Sequence, residues 1–290
     1  MKIIQAPALK PGDSVVLASD IHNTHIDFYG MPNDERMEKF VQDLLKTYEK
    51  KPFKFVLLLG DYALDHWICW KNGGINESYL DTGRTRSAEF LKMLKERLPV
   101  PVYPIPGNHE QYSEKQWKAL TGFDRQYAVE AGDFLFILHD SFKGALDPKE
   151  HSDGVYSPLD VPSIRDVFAQ SGARTVFLCL HHFDPALENR ESEALIRSER
   201  VKGLFAGHVH LSDVVPLGEA YGHKPLMLTG NFSYSSAKNA MDSMWGWREL
   251  TIEENQLSSV YHVPESVISL DGAAKTAKDH VQDPAVIRLS

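Results

Sequence analysis

The sequence has 290 residues, of which 31 are lysine or arginine and 40 are aspartate or glutamate, so its formal net charge is −9. This excess of acid excludes a protein that binds long nucleic acids or anionic membranes by charge alone, because that attraction requires lysine and arginine. With 42% hydrophobic and 24% charged residues, the composition is that of a globular protein and excludes global disorder.

The first residues lack the apolar segment and small-residue cleavage site of a secretory signal. No window of about 18 apolar residues predicts a membrane span. The two cysteines, Cys69 and Cys179, lie far apart in a chain long enough to form a core without a disulfide, which favours reduced thiols. We therefore predict a cytoplasmic protein with no membrane span.

Short apolar runs alternate along the chain with amphipathic segments. The runs are rich in β-branched and aromatic residues and predict buried strands over 14–19, 53–59, 102–105, 134–138, 175–180 and 201–206. Apolar residues recur at helical spacing from Met37 to Tyr48 and predict a first helix, and a capping-box pattern at Ser113 begins another. Further helices are predicted over 84–98, 163–170 and 188–200. This alternation is typical of a layered α/β fold.

The last third of the sequence changes character. Strands are predicted over 226–229, 247–252 and 257–262, and the last two are close enough to form a hairpin, so the sheet should be mixed. Without internal repeats or low-complexity linkers, residues 1–263 are predicted to form one domain, followed by a C-terminal extension of unknown role over 264–290. Residues 62–83 have no clear period and are predicted to form a long loop.

Five of the predicted strands are followed immediately by side chains of the types that bind metals. In chain order they are Asp20 and His22, then Asp61, then Asn108 and His109, then His181 and His182, and finally His208 and His210. Loops beyond the carboxyl ends of strands form the ligand crevice of an α/β sheet, so five separate segments should converge there. Taken singly, each histidine is more simply a hydrogen-bonded, half-buried side chain, and each aspartate a cap or turn residue. Their conjunction favours a metal site.

Oxygen and imidazole ligands without thiolate suit zinc, manganese or iron. Seven ligands exceed one tetrahedral site, so two ions that share one carboxylate are the economical arrangement. Paired ions about 3.5–4 Å apart are a recurring device for phosphoester hydrolysis. The sequence has no Gly-x-Ser-x-Gly elbow, Walker A loop or Gly-x-Gly-x-x-Gly loop, which disfavours a serine hydrolase or a nucleotide-binding fold.

The order of these blocks resembles the motif series of the calcineurin-like metallophosphoesterases, which is Asp-x-His, Gly-Asp, Gly-Asn-His-Glu/Asp, His and Gly-His-x-His. The resemblance extends over residues 20–210. It implies an α/β fold in which two mixed β-sheets form a four-layer αββα sandwich. It also implies two divalent or mixed-valence metal ions at the edge of the sandwich.

The resemblance also implies a role for each motif residue. The first ion would be held by Asp20, His22, Asp61 and His210. The second would be held by Asp61, Asn108, His181 and His208. Asp61 would bridge the two ions, and a hydroxide between them would attack phosphorus in line. His181 is chosen over His182 because the family's ligand is the first of such a pair. His109 occupies the place of the catalytic histidine, which stabilises the pentavalent phosphorus and protonates the leaving oxygen.

Two departures from the family pattern bear on the substrate. The protein serine/threonine phosphatases of the family carry one arginine after Gly-Asp and another before Gly-Asn-His-Glu. Here the corresponding segments, 60–66 and 105–110, contain no arginine. The sequence is therefore more similar to the phosphodiesterase-like branch, and we expect hydrolysis of a small phosphodiester, nucleotide-like or of glycerophospho type. The alternatives are a phosphomonoesterase with the same centre and a family member that has lost catalysis and serves as a scaffold. An amidohydrolase is less favoured, because in amidohydrolases the His-x-His pair follows the first strand of a barrel, whereas here it comes last of the five blocks.

Three residues near the ligand blocks are candidate substrate contacts, namely His25, His66 and Trp67. The two histidines could equally lie in solvated loops. Trp67, with Trp70 and Tyr79, could form either an aromatic wall for the substrate or a small core beneath the long loop.

Overall fold

The computed structural model describes residues 1–24, 31–64, 85–142, 154–233, 244–271 and 281–289. In these residues the strands are β1 (Ile3–Gln5), β2 (Ser14–Ala18), β3 (Val56–Leu59), β4 (Val102–Ile105), β5 (Tyr127–Ala131), β6 (Phe134–His139), β7 (Thr175–Leu180), β8 (Val201–Ala206), β9 (Ser212–Pro216), β10 (Pro225–Thr229), β11 (Trp247–Ile252), β12 (Gln256–His262) and β13 (Val281–Arg288). The helices are α1 (Asn33–Lys50), α2 (Arg86–Arg97), α3 (Glu114–Thr121), α4 (Val161–Gln170), α5 (Arg190–Ile196) and α6 (Glu265–Asp271). A short 3₁₀ turn spans Glu219–Tyr221.

The strands form two mixed sheets. Sheet one has the order β1-β5-β6-β7-β8-β10-β9, and sheet two has the order β13-β12-β11-β2-β3-β4. In sheet one, β6, β7 and β8 run parallel to one another. In sheet two, β2, β3 and β4 are parallel, whereas β11 and β12 form the predicted antiparallel hairpin. The parallel strands of each sheet lead into the five loops that carry the predicted metal ligands.

Three apolar clusters hold the layers together. The inter-sheet cluster joins one face of each sheet, with Leu57 of sheet two and Phe136 and Phe177 of sheet one among its buried members. Helices α1 to α3 cover the outer face of sheet two, where Phe40 is fully buried. Helices α4 and α5 cover the outer face of sheet one through residues such as Ile164. The predicted four-layer αββα sandwich is therefore confirmed.

Local sequence signals explain where most helices begin. Ser113 and Gln116 form the predicted capping box at the start of α3, with reciprocal bonds between side chain and backbone. Helix α2 begins after Thr85, whose side chain accepts a hydrogen bond from the Ala88 N–H. The helix predicted over 188–200 is shorter than expected and ends at Ile196. There the Ser198 N–H bonds to the Leu195 carbonyl and the chain turns directly into β8.

The residues after position 263 add structure to sheet two. Helix α6 follows β12, and β13 pairs antiparallel with β12 at the edge of the sheet. Pro284 lies within β13, a position compatible with an edge strand because proline has no N–H to donate. Among the described residues, no helix combines the length and apolarity needed to cross a membrane.

Candidate metal centre

The five predicted ligand loops meet at one edge of the sandwich. Sheet two contributes the loops after β2, β3 and β4, and sheet one those after β7 and β8. Among the described residues, three groups of side chains have ligand atoms within 4.8 Å of one another. These groups are Asp20, His22 and His210; His22, Asp61 and His109; and Asp61, His181 and His208. Each shares a member with another, so the groups form one continuous site.

The backbone of these loops is strained. Seven non-glycine residues in the described chain have positive φ, and five of them are predicted ligands. The five are Asp20 (φ 55°), His22 (50°), Asp61 (53°), His208 (71°) and His210 (58°). Such conformations persist only where the surrounding structure enforces them, and they concentrate at functional sites.

Asp20 directs its two carboxylate oxygens to different partners. Oδ2 accepts hydrogen bonds from Ser19 Oγ at 2.5 Å and from the His208 N–H at 2.9 Å. Oδ1 faces imidazoles and lies 3.3 Å from His210 Nε2 and 4.0 Å from His22 Nε2. One oxygen is therefore fixed by the protein, and the other lies where a cation could be bound.

Asp61 occupies the centre of the site. Its Oδ1 accepts the His109 N–H at 3.0 Å. Its Oδ2 lies 3.1 Å from His181 Nε2, 3.4 Å from His22 Nε2 and 3.8 Å from His109 Nε2. Asp61 thus lies beside His22, which is shared with the Asp20 group, and beside His181, which belongs to the group with His208. The predicted bridging position requires contacts on both of these sides.

Asn108 and two histidines form the far side of the site. Asn108 Oδ1 lies 2.9 Å from His181 Nε2 and 3.1 Å from His208 Nδ1. The other ring nitrogen of His181, Nδ1, is 2.7 Å from the Leu59 carbonyl, which accepts its proton and directs Nε2 into the site. His181 is fully buried, whereas the ring of His182 packs against His208, 4.4 Å away between centroids, and against Tyr156 and Phe142.

The site is electrostatically suited to cations. Burial alone would raise the pKa of Asp61, but the neighbouring histidines outweigh burial and hold it well below its usual range. Burial lowers the pKa of His22 to about 4 and that of His208 to about 3. For His181 the charge of Asp61 overcomes burial and raises the pKa to about 9. Protonated His181 therefore compensates part of the carboxylate charge in the metal-free protein.

Two glycines allow the loops to approach the carboxylates. A Cβ at Gly107 would lie 2.1 Å from Asp61 Oδ1, and one at Gly207 would lie 2.6 Å from Asp20 Oδ2. No side chain larger than hydrogen fits at either position without displacing a carboxylate. The glycines of the Gly-Asn-His and Gly-His-x-His motifs thus have a steric reason in this chain.

Glu110 is a buried residue whose role the sequence reasoning missed. Its carboxylate accepts hydrogen bonds from the N–H groups of Asp61 (2.7 Å), Gly107 (2.8 Å) and Ala63 (3.2 Å). These bonds tie the loop after β3 to the loop after β4. Burial and the charge of Asp61 raise the pKa of Glu110 to about 8. Its place directly after Gly107-Asn108-His109 was the available signal.

Arg36 of helix α1 was also missed. Its fully buried guanidinium donates to the carbonyls of Ile21, His22 (2.8 Å) and Phe232 (2.7 Å), and to Asn33 Oδ1 (3.1 Å). These bonds hold the loop that carries Asp20 and His22 against helix α1. Arginine is almost never fully buried without partners, but no motif marks this one in the sequence.

Phe142 lines the side of the site that faces sheet one. Its ring lies 5.8 Å from that of His181 and 5.9 Å from that of His208, measured between centroids. The predicted substrate contacts His25, His66 and Trp67 lie outside the described residues, as do Trp70 and Tyr79.

The sequence model of the calcineurin-like phosphoesterases matches residues 14–212, and the chain belongs to that family. The predicted resemblance is thereby confirmed. No curated protein matches the chain by sequence.

Solved structures with the same fold have low sequence identity to the chain. One is the purple acid phosphatase PPD1 from yellow lupin (Lupinus luteus) seeds, with a TM-score of 0.58, 15% identity, and coverage of 97% of this chain and 55% of that one. Another is GAP50 of Plasmodium, described as the anchor in the inner membrane complex, with a TM-score of 0.56, 11% identity, and coverage of 96% and 89%. The chain thus spans about half the length of the lupin phosphatase. At these identities the likeness concerns the fold alone.

Proposed function

We propose that the chain is a two-metal phosphoesterase that hydrolyses small phosphodiesters. The observation that carries the proposal is the position of Asp61, whose buried carboxylate lies between two groups of nitrogen and oxygen donors. One ion would be held by Asp20, His22, Asp61 and His210. The other would be held by Asp61, Asn108, His181 and His208.

The donor set fits manganese, iron or zinc. It consists of imidazole nitrogens with carboxylate and amide oxygens, which suit these ions. No cysteine of the described chain joins the three groups, and Cys179 lies buried within β7. Gly107 and Gly207 leave the carboxylates in the places where the donors converge.

Bound as a pair, the ions would supply Lewis-acid stabilisation of the phosphoryl oxygens and a nucleophile at neutral pH. His109 is 9% exposed and stands beside Asp61, so its ring can reach a phosphate bound at the site. We assign it the transfer of a proton to the leaving oxygen. The bond from its own N–H to Asp61 Oδ1 fixes its backbone relative to the bridging carboxylate.

The preference for diesters is supported by the absence of the phosphatase arginines. Pro106 is buried directly before Gly107, where one of the arginines would stand. The position of the other, four residues after Asp61, holds Asp65 and lies outside the described residues. A monoester dianion gains more from an added arginine than a diester monoanion does. An otherwise complete site that lacks these arginines therefore favours the singly charged substrate.

The test is to load metal-free protein with Mn²⁺, Fe²⁺ or Zn²⁺ and compare bis-para-nitrophenyl phosphate with para-nitrophenyl phosphate. We expect a higher kcat/KM for the diester with at least one metal. The reverse order would assign the site to phosphomonoesters.

A non-catalytic role is the second candidate, since a protein of this fold is described as an anchor in Plasmodium. Failure of the fully loaded protein to hydrolyse either ester would favour that role. The complete ligand set of this chain argues against a non-catalytic role, because family members that lose catalysis are expected to lose ligands. We also propose a cytoplasmic location. We propose further that the protein does not bind long nucleic acids, which its net charge of −9 supports.

A further inference from the structure

A buried ion pair lies at the open end of the β5–β6 hairpin of sheet one. Arg125 and Asp140 are 1% and 0% exposed. The pair is bidentate, with Arg125 Nε 2.6 Å from Asp140 Oδ2 and Nη2 3.3 Å from Oδ1. Arg125 precedes β5, whereas Asp140 follows β6. Neither residue is a predicted metal ligand.

Arg125 also holds the loop that carries Asn108. Its Nη1 donates to the Glu110 carbonyl at 3.1 Å and to the Tyr112 carbonyl at 2.6 Å. The guanidinium carbon lies 5.9 Å from the centre of the Trp117 ring, which closes the other side. The position of this loop relative to sheet one therefore depends on where Asp140 holds Arg125.

Asp140 in turn holds the wall against which the histidines pack. Its Oδ1 accepts the Phe142 N–H at 3.1 Å, and the Phe142 ring contacts His181 and His208. The next residue, Ser141, donates through Oγ to the His182 carbonyl at 2.9 Å. The loop after β6 is thus bound both to Arg125 and to the loop that carries His181.

The second ion would lie across the junction that this pair fixes. Asn108 belongs to sheet two and His181 to sheet one, and their ligand atoms are 2.9 Å apart. The first ion would lie across a different junction, where Ser19 Oγ is 2.7 Å from Thr229 Oγ1 and the His208 N–H bonds to Asp20. Among the described residues, no hydrogen bond links Arg125 or Asp140 to this junction.

We propose that Arg125 and Asp140 are positioning residues for the second ion, setting the distance between Asn108 and the His181–His208 pair. The inference rests on the dinuclear site proposed above. A purely structural ion pair would act differently, because its replacement would change the unfolding free energy but leave the metal affinities of the folded protein unchanged. A positioning pair cannot be replaced in this way without loss of metal affinity.

The test is the double variant R125M/D140L in the full chain, stripped of metal and titrated with Mn²⁺. We expect a lower unfolding midpoint, because the Glu110 and Tyr112 carbonyls and the Phe142 N–H lose their partners. In the folded variant we expect unchanged affinity at one site and affinity at the other site about 10–100-fold lower, as for other groups that orient ligands. The electron paramagnetic resonance signal of a coupled manganese pair should weaken at Mn²⁺ concentrations that saturate wild type. The matched control is R97M/E38Q, which removes a bidentate ion pair between α1 and α2 and should leave both affinities unchanged.

Two Mn²⁺ sites of wild-type affinity in a folded double variant would overturn the proposal, and so would an equal loss at both sites. If the double variant does not fold, R125K decides. Lysine can keep the charge opposite Asp140 but cannot also bond both carbonyls, so we expect a smaller loss confined to one site, and no loss would refute the inference. A wild-type chain that never binds two ions would instead refute the dinuclear proposal itself, a result visible before any variant is made.

Discussion

Replacing Asp61 with asparagine tests the bridging role of its carboxylate. Asparagine is isosteric and can still accept the His109 N–H through its amide oxygen, so the loop should keep its conformation. What changes is Oδ2, which lies 3.1 Å from His181 Nε2 and 3.4 Å from His22 Nε2 and becomes an uncharged NH₂ group. The variant therefore removes one negative charge that both ions would share.

The loss in affinity follows from the lost charge. Two unit charges 4 Å apart interact by about 4 kcal/mol at an effective dielectric constant of about 20, which is roughly a thousandfold in a binding constant. A divalent ion loses more than a monovalent one. We therefore expect D61N to weaken binding by at least about 10³-fold at both sites.

The matched variant is D20N, which removes an equally buried carboxylate that belongs to one of the three ligand groups. Calorimetric titration of metal-free protein with Mn²⁺ should find two sites in wild type, one in D20N and none of comparable affinity in D61N. Retention of two tight ions in D61N would refute the bridging assignment. Loss of both ions in D20N would show that the two sites are not separable in the way the geometry implies.

Three further predictions concern residues around Asp61. H109A should lower kcat by about 10²–10⁴-fold while both ions stay bound, and unchanged hydrolysis of a chromogenic diester would remove His109 from the mechanism. G107A places a Cβ 2.1 Å from Asp61 Oδ1 and should abolish tight metal binding, whereas G172A, with no atom within 4 Å, should match wild type in the same titration. R36M leaves buried carbonyls without their donor and should lower the unfolding free energy in urea by about 3 kcal/mol or more, at about 1–3 kcal/mol for each carbonyl; a change under about 0.5 kcal/mol, typical of surface substitutions, would contradict this role.

The position of the site was predictable because strand periodicity and ligand chemistry point to the same residues. Each of Asp20, Asp61, Asn108, His181 and His208 follows a buried apolar run, and such runs are the strongest local signal in the sequence. The carboxyl ends of parallel strands meet at one edge within each sheet. That the edges of the two sheets coincide depends on how the sheets stack, which local patterns do not specify.

The supporting groups were not predictable in this way. Arg36 lies on the buried face of α1 among apolar residues, and its acceptors are backbone carbonyls of Ile21, His22 and Phe232, which carry no sequence signal. Arg125 and Asp140 pair only because β5 and β6 form a hairpin in sheet one. Partners of this kind depend on tertiary contacts, so local patterns do not identify them.

Some strands escaped prediction for a related reason. The edge strands β9 and β13 are largely exposed, so they lack the continuous apolar run of a buried strand. Strand β1 has three residues and is recognisable only by its parallel pairing with β5. In each case the pairing partner, not the segment itself, specifies the strand.

The strained loops indicate that the ligand geometry is built into the metal-free protein. A left-handed conformation costs a non-glycine residue about 1–2 kcal/mol, so five such residues would cost roughly 5–10 kcal/mol, comparable to the net stability of a domain. The backbone of each of the five takes part in a hydrogen bond. The N–H groups of Asp20 and His22 donate to the carbonyls of Gly60 and Asp61. The N–H of Asp61 donates to Glu110 Oε2, that of His208 donates to Asp20 Oδ2, and the His210 carbonyl accepts from Asn231 Nδ2. These bonds involve protein groups alone, so the strain is offset before any ion binds. Metal binding should therefore replace the proton on His181 in a preformed site rather than fold the loops around the ions.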